Sequence, residues 1–300
     1  MEFKKFYFCV EFNYKKMFKL FYLLIFSLIF PLFGFNQTNP TGETTQKTSN
    51  RGRIYMYWGW NMSWYTDSDI HFTGDNYDFK LSDVKAKDRQ TPFNVDPYFN
   101  IGRITIPQTN LRLGYFITDK IDISLGYDHM KYVMVNFQEA KINGNINTGN
   151  KYDGTYLNDD IILDYDFLMF EHTDGLNYID AEITRNDNLL ELFKVTHNPN
   201  KITINTLLGF GGGFLLPRSN VLLLNGERYD QFHLAGYGFS AKTGLDIILY
   251  KYFFIRGEFK NGFIDMPSIR STPHKEDNAS QHFFFSQVNL CFGFTYNPFN

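Results

Sequence analysis

From about residue 52 onward, stretches of roughly ten to sixteen residues alternate strictly between apolar and polar positions. The first stretch is the clearest. Ile54, Met56, Trp58, Trp60, Met62 and Trp64 fall on one parity, and Arg53, Tyr55, Tyr57, Gly59, Asn61 and Ser63 on the other. A period of two sends these sets to opposite faces of an extended strand. A face of bare Trp, Met and Ile backed by one of Arg, Asn and Gly suits a wall between hydrocarbon and a polar interior.

Tight turns set the register of the remaining strands. Phe116–Ile121, His197–Asn200 and Tyr250–Lys251 each join two alternating runs, whereas 66–103, 137–174, 215–230 and 265–280 are long polar excursions. The pattern predicts eight strands, at 52–65, 104–117, 121–136, 175–196, 201–215, 231–249, 252–264 and 282–297. Asn186–Asn188 interrupts the fourth. The fold class this implies is all-β: a closed antiparallel transmembrane β-barrel with short periplasmic turns and long extracellular loops. Closure leaves no unpaired backbone edge in lipid. The runs Ile70–Val84 and Ile161–Glu171 can extend strands above the membrane, and ten strands is the alternative count.

The outward parity repeats in Leu111, Leu113 and Tyr115, in Ile121, Ile123, Leu125 and Tyr127, in Tyr237, Phe239, Ala241, Leu245, Ile247 and Leu249, and in Val288, Leu290, Phe292, Phe294 and Tyr296. The inward parity carries both signs of charge: Arg53, Arg112, Asp122, Asp128, Asp180, Glu182, Lys242, Asp246, Arg256, Glu258 and Lys260. A narrow cylinder holds only side chains, and buried charges must pair. These residues are therefore expected to form an internal ion-pair network, with Arg256 bonded to an acid on a neighbouring strand. A narrow solute path and an internal ligand site are the alternatives.

The N-terminal end differs from the rest. Lys15, Lys16 and Lys19 precede an apolar run from Leu20 to Phe35 broken by Ser27, Pro31 and Gly34, which reads as a cleaved secretory signal over residues 1–36. Met17 is a candidate true start, and 37–51 a short periplasmic segment. Residues 1–36 hold five Lys and two Glu, so the formal net charge of -3 becomes about -6 without them. That balance excludes nucleic acid as a partner. Of the two cysteines, Cys9 leaves with the signal, and Cys291 alone makes no internal disulfide. Aromatics reach 19%, an excess that girdles at two membrane interfaces absorb.

Candidate chemistry is thin. A lipid-modifying enzyme needs a nucleophile and a base near the outer rim. The candidates are His129, Glu171, His172, His282 and Ser286, with His233 near the end of strand six. His282 and Ser286 share a parity but stand about 13 Å apart along a strand, too far for a hydrogen bond. Asp67, Asp69, Asp159 and Asp160 lead two aspartate-rich loops that invite a divalent cation, yet their spacing matches no EF-hand. No cofactor is expected.

The signal, the tight turns and the two-faced pattern resemble a small bacterial outer-membrane β-barrel of the OmpA/OmpX/OmpW-like eight-stranded class. So does the final aromatic strand Cys291-Phe292-Gly293-Phe294-Thr295-Tyr296. The abundance of Phe, Asn, Lys and Tyr resembles a Bacteroidota protein. The resemblance implies localisation in the outer membrane, with lipid and lipopolysaccharide as surroundings. Its members include structural proteins, adhesins, small-solute conduits and lipid A enzymes. The expected function is a non-enzymatic barrel whose large loops bind a partner or stabilise an envelope complex, with Tyr98, Phe99, Tyr152, Tyr156 and Tyr165 as aromatic anchors. A lipid A-modifying hydrolase and a narrow channel remain the alternatives.

Overall fold

In a computed structural model the described residues are 49–298. The expected signal, its alternative start at Met17, Cys9 and most of the 37–51 segment lie outside them. The strands are β1 (Ile54–Tyr65), β2 (Ser68–Gly74), β3 (Tyr77–Val84), β4 (Ala86–Lys87), β5 (Thr109–Phe116), β6 (Ile121–Met134), β7 (Glu139–Ile146), β8 (Gly154–Ile162), β9 (Leu168–Asn188), β10 (Ile202–Leu215), β11 (Arg218–Leu223), β12 (Tyr229–Phe232), β13 (Gly236–Leu249), β14 (Phe253–Arg270) and β15 (Asn278–Tyr296). Among the described residues two single-turn α-helices, α1 (Val95–Tyr98) and α2 (Leu189–Leu192), and a 3-10 turn at Ile101–Arg103 complete the element order. Among the described residues no helix is long and apolar enough to cross a membrane.

The closed barrel of eight or ten strands is corrected. One antiparallel sheet holds all fifteen strands and does not close as a regular barrel. Pairing runs β1-β5-β6-β9-β10-β13-β14-β15, and β15 also pairs β1 from Phe285 to Tyr296. The path does not stop at that return. Beyond the end of β1, Asn278–Gln281 of β15 pairs β2, which leads to β3, β7 and β8. The physical reason lies in the excursions. Ile70 and Phe72, Phe79 and Leu81, and Ala140 and Ile142 are buried at period two. These segments therefore bury an apolar face and hydrogen-bond to the rising strands, where solvated loops would leave the edge of β15 open.

Other boundaries move for local reasons. The second expected strand shortens to β5, because Pro107 offers no ladder donor. The gap above β5 is filled from the first excursion, where Asp88 Oδ2 accepts the Ser63 N–H at 2.8 Å. The fourth expected strand, 175–196, starts earlier and ends at Asn188, whose side chain caps α2 by accepting from the Leu190 and Glu191 N–H groups. The connection to β10 is therefore longer than a tight turn at 197–200.

Outward and inward faces differ over the lower wall. Met56, Leu113, Leu125, Ile183, Leu208, Phe239 and Phe294 are exposed. The alternate positions, including Arg112, Asp128, Lys242 and Glu258, are buried. Higher up the inward residues change character. On β6 the inward run Asp122, Ser124, Gly126, Asp128 gives way to Met130, Tyr132 and Met134; on β14, Arg256, Glu258 and Lys260 give way to Ile264, Met266 and Ile269. These upper residues join Phe72, Phe79, Phe167, Phe170 and Phe283 in one apolar core. The expected extracellular loops are thus a packed upper body.

Candidate functional site

The lower interior is a layer of ion pairs on five strands. Arg112 of β5 reaches two acids of β9, Asp180 at 2.7 Å and Glu182 at 2.9 Å. Lys242 of β13 bridges Glu182 at 2.6 Å and Glu258 at 2.9 Å. Arg256 donates from Nε and Nη2 to both oxygens of Asp246 on β13, each at 2.6 Å. This bidentate geometry is the strong form of the pair. Lys260 of β14 binds Asp128 of β6 at 2.6 Å, Glu182 at 2.8 Å and Asp180 at 3.3 Å. Since β14 and β6 are not neighbours in the sheet, the Lys260 pairs cross the interior.

Below this layer aromatic rings seal the arginine. The Arg256 guanidinium lies 5.2 Å from the Tyr55 ring, 5.0 Å from Tyr57 and 5.1 Å from Phe254. Asp122 is held by hydrogen bonds, from the Tyr55 hydroxyl at 2.7 Å and Asn186 Nδ2 at 2.7 Å. Arg53 stands apart from the network. It is half-buried at the lower end and donates to the Lys251 carbonyl at 2.8 Å.

The candidate catalytic residues are dispersed. His129 is buried, with Nδ1 2.8 Å from Asn177 Oδ1. Glu171 holds Arg89 at 2.8 Å and accepts from Asn220 at 2.8 Å. His172 is fully buried in the upper core, with Nδ1 2.9 Å from Ser219 Oγ and Nε2 without a partner among the described residues. Burial pulls its imidazole down to about 3, so it is neutral at physiological pH. A Ser–His contact of that length has the geometry of a nucleophile and its base. Both groups, however, are closed off among Tyr132 and Phe170. His282 and Ser286 face outward, and Ser286 Oγ donates to Asn261 Oδ1 at 2.7 Å, not to a histidine.

Sequence reasoning missed Ser219 and Asn261. Ser219 lay in an excursion expected to be loop, and only the β9–β11 pairing brings it to His172. Asn261 had a legible signal: it is polar on an otherwise apolar parity between Phe259 and Phe263.

The aspartates also have separate partners. Asp69 pairs with Lys80 at 2.6 Å, Asp160 with Lys141 at 2.5 Å, and Asp159 accepts the Leu157 N–H at 2.8 Å. Asp67 lies between β1 and β2, away from Asp159 and Asp160 on β8. Among the described residues no group of three His, Cys, Asp or Glu side chains is arranged to hold a metal ion.

The expected aromatic anchors lie in three places. Tyr98 and Phe99 lie on the outward ring of Trp60, at 5.6 and 5.3 Å between centroids. Tyr152 and Tyr156 pack against the upper core. Tyr165 is exposed and meets Phe137 edge-on at 5.2 Å.

No family profile matches the sequence, and no curated protein matches it. Similar solved structures include the outer membrane protein OprG from Pseudomonas aeruginosa, at 10% identity over 83% of this chain and 98% of that one, with a TM-score of 0.36. Ail, the attachment invasion locus protein of Yersinia pestis, is 11% identical over 82% and 99%, with a TM-score of 0.31. Neisserial surface protein A is 12% identical over 79% and 99%, with a TM-score of 0.31.

Proposed function

We propose that this chain is a non-enzymatic outer-membrane protein whose packed upper body stands outside the cell and engages a partner or stabilises an envelope assembly. The observation that carries this reading is the reversal of polarity across the lower wall. Bare Met, Leu, Ile and Phe cover its outward face, while the charged side chains are sealed within. In water that arrangement would expose far more contiguous apolar surface than a soluble protein tolerates; in a bilayer it is the stable one. An interior filled by ion pairs, with an apolar core above them, supports a plugged interior over a conduit. The dispersal of His129, Glu171, His172, His282 and Ser286 supports a non-catalytic role over a lipid A hydrolase.

Upper and lower ends are distinguishable by labelling intact cells with a membrane-impermeant maleimide. Native Cys291 is buried, so a cysteine placed at Leu157, 80% exposed on β8, is expected to react. One placed at Lys251 is expected to react only after lysis. Equal labelling at both positions, or recovery of the protein in the soluble fraction, overturns the reading. For the role itself, co-purification with an envelope complex in mild detergent and unchanged lipid A mass are expected. A lipid A mass shift abolished by Ser286→Ala would support the hydrolase instead.

A further inference from the structure

The apolar outward face has a polar interruption, and its surroundings form a groove. At one level of the sheet Phe210, Ala241, Asn261, Ser286 and Trp64 stand side by side on β10, β13, β14, β15 and β1. One outward row higher, Phe239, Phe263 and Phe284 form a ledge. The small side chains of Ala241 and Ser286 leave a depression of about 460 Å³ edged by Phe210, Phe239, Phe263 and Phe284. On its floor the Ser286 hydroxyl donates to Asn261 Oδ1. The Asn261 side-chain N–H groups have no acceptor among the described residues.

Height along the wall says what meets that amide. Ser286 is about ten residues above Tyr296 on β15, or about 25 Å of rise for a strand tilted near 40°. That is the full height of an apolar band, so Asn261 and Ser286 lie where acyl chains join their head groups. An amide donor facing hydrocarbon without an acceptor is costly, and an ester carbonyl at this depth supplies one. Above the ledge stands Asp265, accepting from the Tyr237 hydroxyl at 2.9 Å, with His282 opposite it on β15. A fixed carboxylate at head-group height attracts an ammonium and disfavours a head group with phosphate alone.

We propose that this groove is a site for one glycerophospholipid with an ammonium head group. Its ester carbonyl accepts from Asn261, its acyl chain lies among the four phenylalanines, and its ammonium meets Asp265. The proposal rests on the membrane reading above. The test uses the full chain in detergent with limiting phosphatidylethanolamine or phosphatidylglycerol, and native mass spectrometry to count retained lipid. The parent is expected to keep one phosphatidylethanolamine. Asn261→Leu and Ala241→Trp, which fills the depression, are expected to lower retention at least tenfold. Leu125→Trp on the far side of the wall is expected to leave it unchanged, and Asp265→Asn to remove the preference over phosphatidylglycerol. Heat-modifiable migration in gels confirms that each variant is folded. Equal retention by parent and groove variants overturns the proposal, as does preferential retention of phosphatidylglycerol or lipid A, or a second copy of the chain on this face. Protein that needs no detergent sinks the membrane reading itself; protein in micelles without selective retention sinks only the lipid site.

Discussion

Arg256 shows how one side chain can decide the stability of the lower wall. Its guanidinium is almost wholly buried, binds both oxygens of Asp246 and is enclosed by Tyr55, Tyr57 and Phe254. Arg256→Ala strands the Asp246 carboxylate, and removing one partner of a buried pair typically costs about 3–5 kcal/mol. The double variant Arg256→Met, Asp246→Leu removes both charges and is expected to recover most of that loss. Urea unfolding in detergent, followed by gel migration, measures both; a single variant as stable as the parent would contradict the pairing.

His172 sets a pH dependence in the upper body. Its folded value, about 3, lies below the ordinary 6.5 because burial disfavours the charged ring. Above pH 6.5 neither state is protonated, and the contribution to stability is complete. As pH falls below 6.5 the unfolded chain takes up a proton that the folded chain refuses until near pH 3. Stability therefore drops by about 1.4 kcal/mol for each pH unit in that window. Protease resistance of the upper body is expected to decline between pH 6 and 4, and His172→Asn to flatten that decline. Parallel profiles for parent and variant would refute the assignment.

At the scale of elements, the turn between β13 and β14 is made by poor turn residues. Tyr250 and Lys251 both take left-handed backbone conformations, at φ 51° and 68°. Such a conformation costs an L-residue about 1–2 kcal/mol, and Asn-Gly is the favoured pair for such a hairpin. Tyr250→Asn with Lys251→Gly is expected to raise stability by about 1 kcal/mol, read as a higher urea midpoint. The sheet itself holds because strands fit closely. At Gly213 an added Cβ would fall 2.0 Å from the Ile179 carbonyl oxygen across the β9–β10 pair, so Gly213→Ala is expected to slow assembly of that pair, measured as loss of the heat-modifiable form after refolding.

For the whole molecule, the inward face has two solvents. Paired charges fill the lower part, and a core built around Phe72, Phe79, Phe167, Phe170 and Phe283 fills the upper part. Phe167 is fully buried there, just before β9, and packs against Phe79 and Tyr152 of the upper body. Phe167→Ala is expected to destabilise by about 3–5 kcal/mol. The loss should appear as new protease cuts in 66–103 and 137–174, with the fragment spanning β13 to β15 intact. Cuts spread equally over β13 and β14 would show that the two parts unfold as one.

The two faces of the wall were legible in the residues alone, because a period of two sets Trp58 and Trp60 on the outward face and the charged Arg256 and Lys260 on the inward one. On the inward parity Arg112, Asp180, Lys242 and Arg256 are buried, and Arg53 is half-buried at the lower end. Which charges meet was not legible: Lys260 reaches Asp128 across the interior, and only the stagger of nonadjacent strands sets that distance. The fate of the long excursions was likewise decided by tertiary structure. Their alternation permits strands, but a short apolar run gains a strand's stability only when an edge and a core are at hand, and the upper ends of β15, β9 and β6 provide both. Local pattern thus determines which way each side chain points. Long-range pairing decides how many strands there are, and which distant groups share a site.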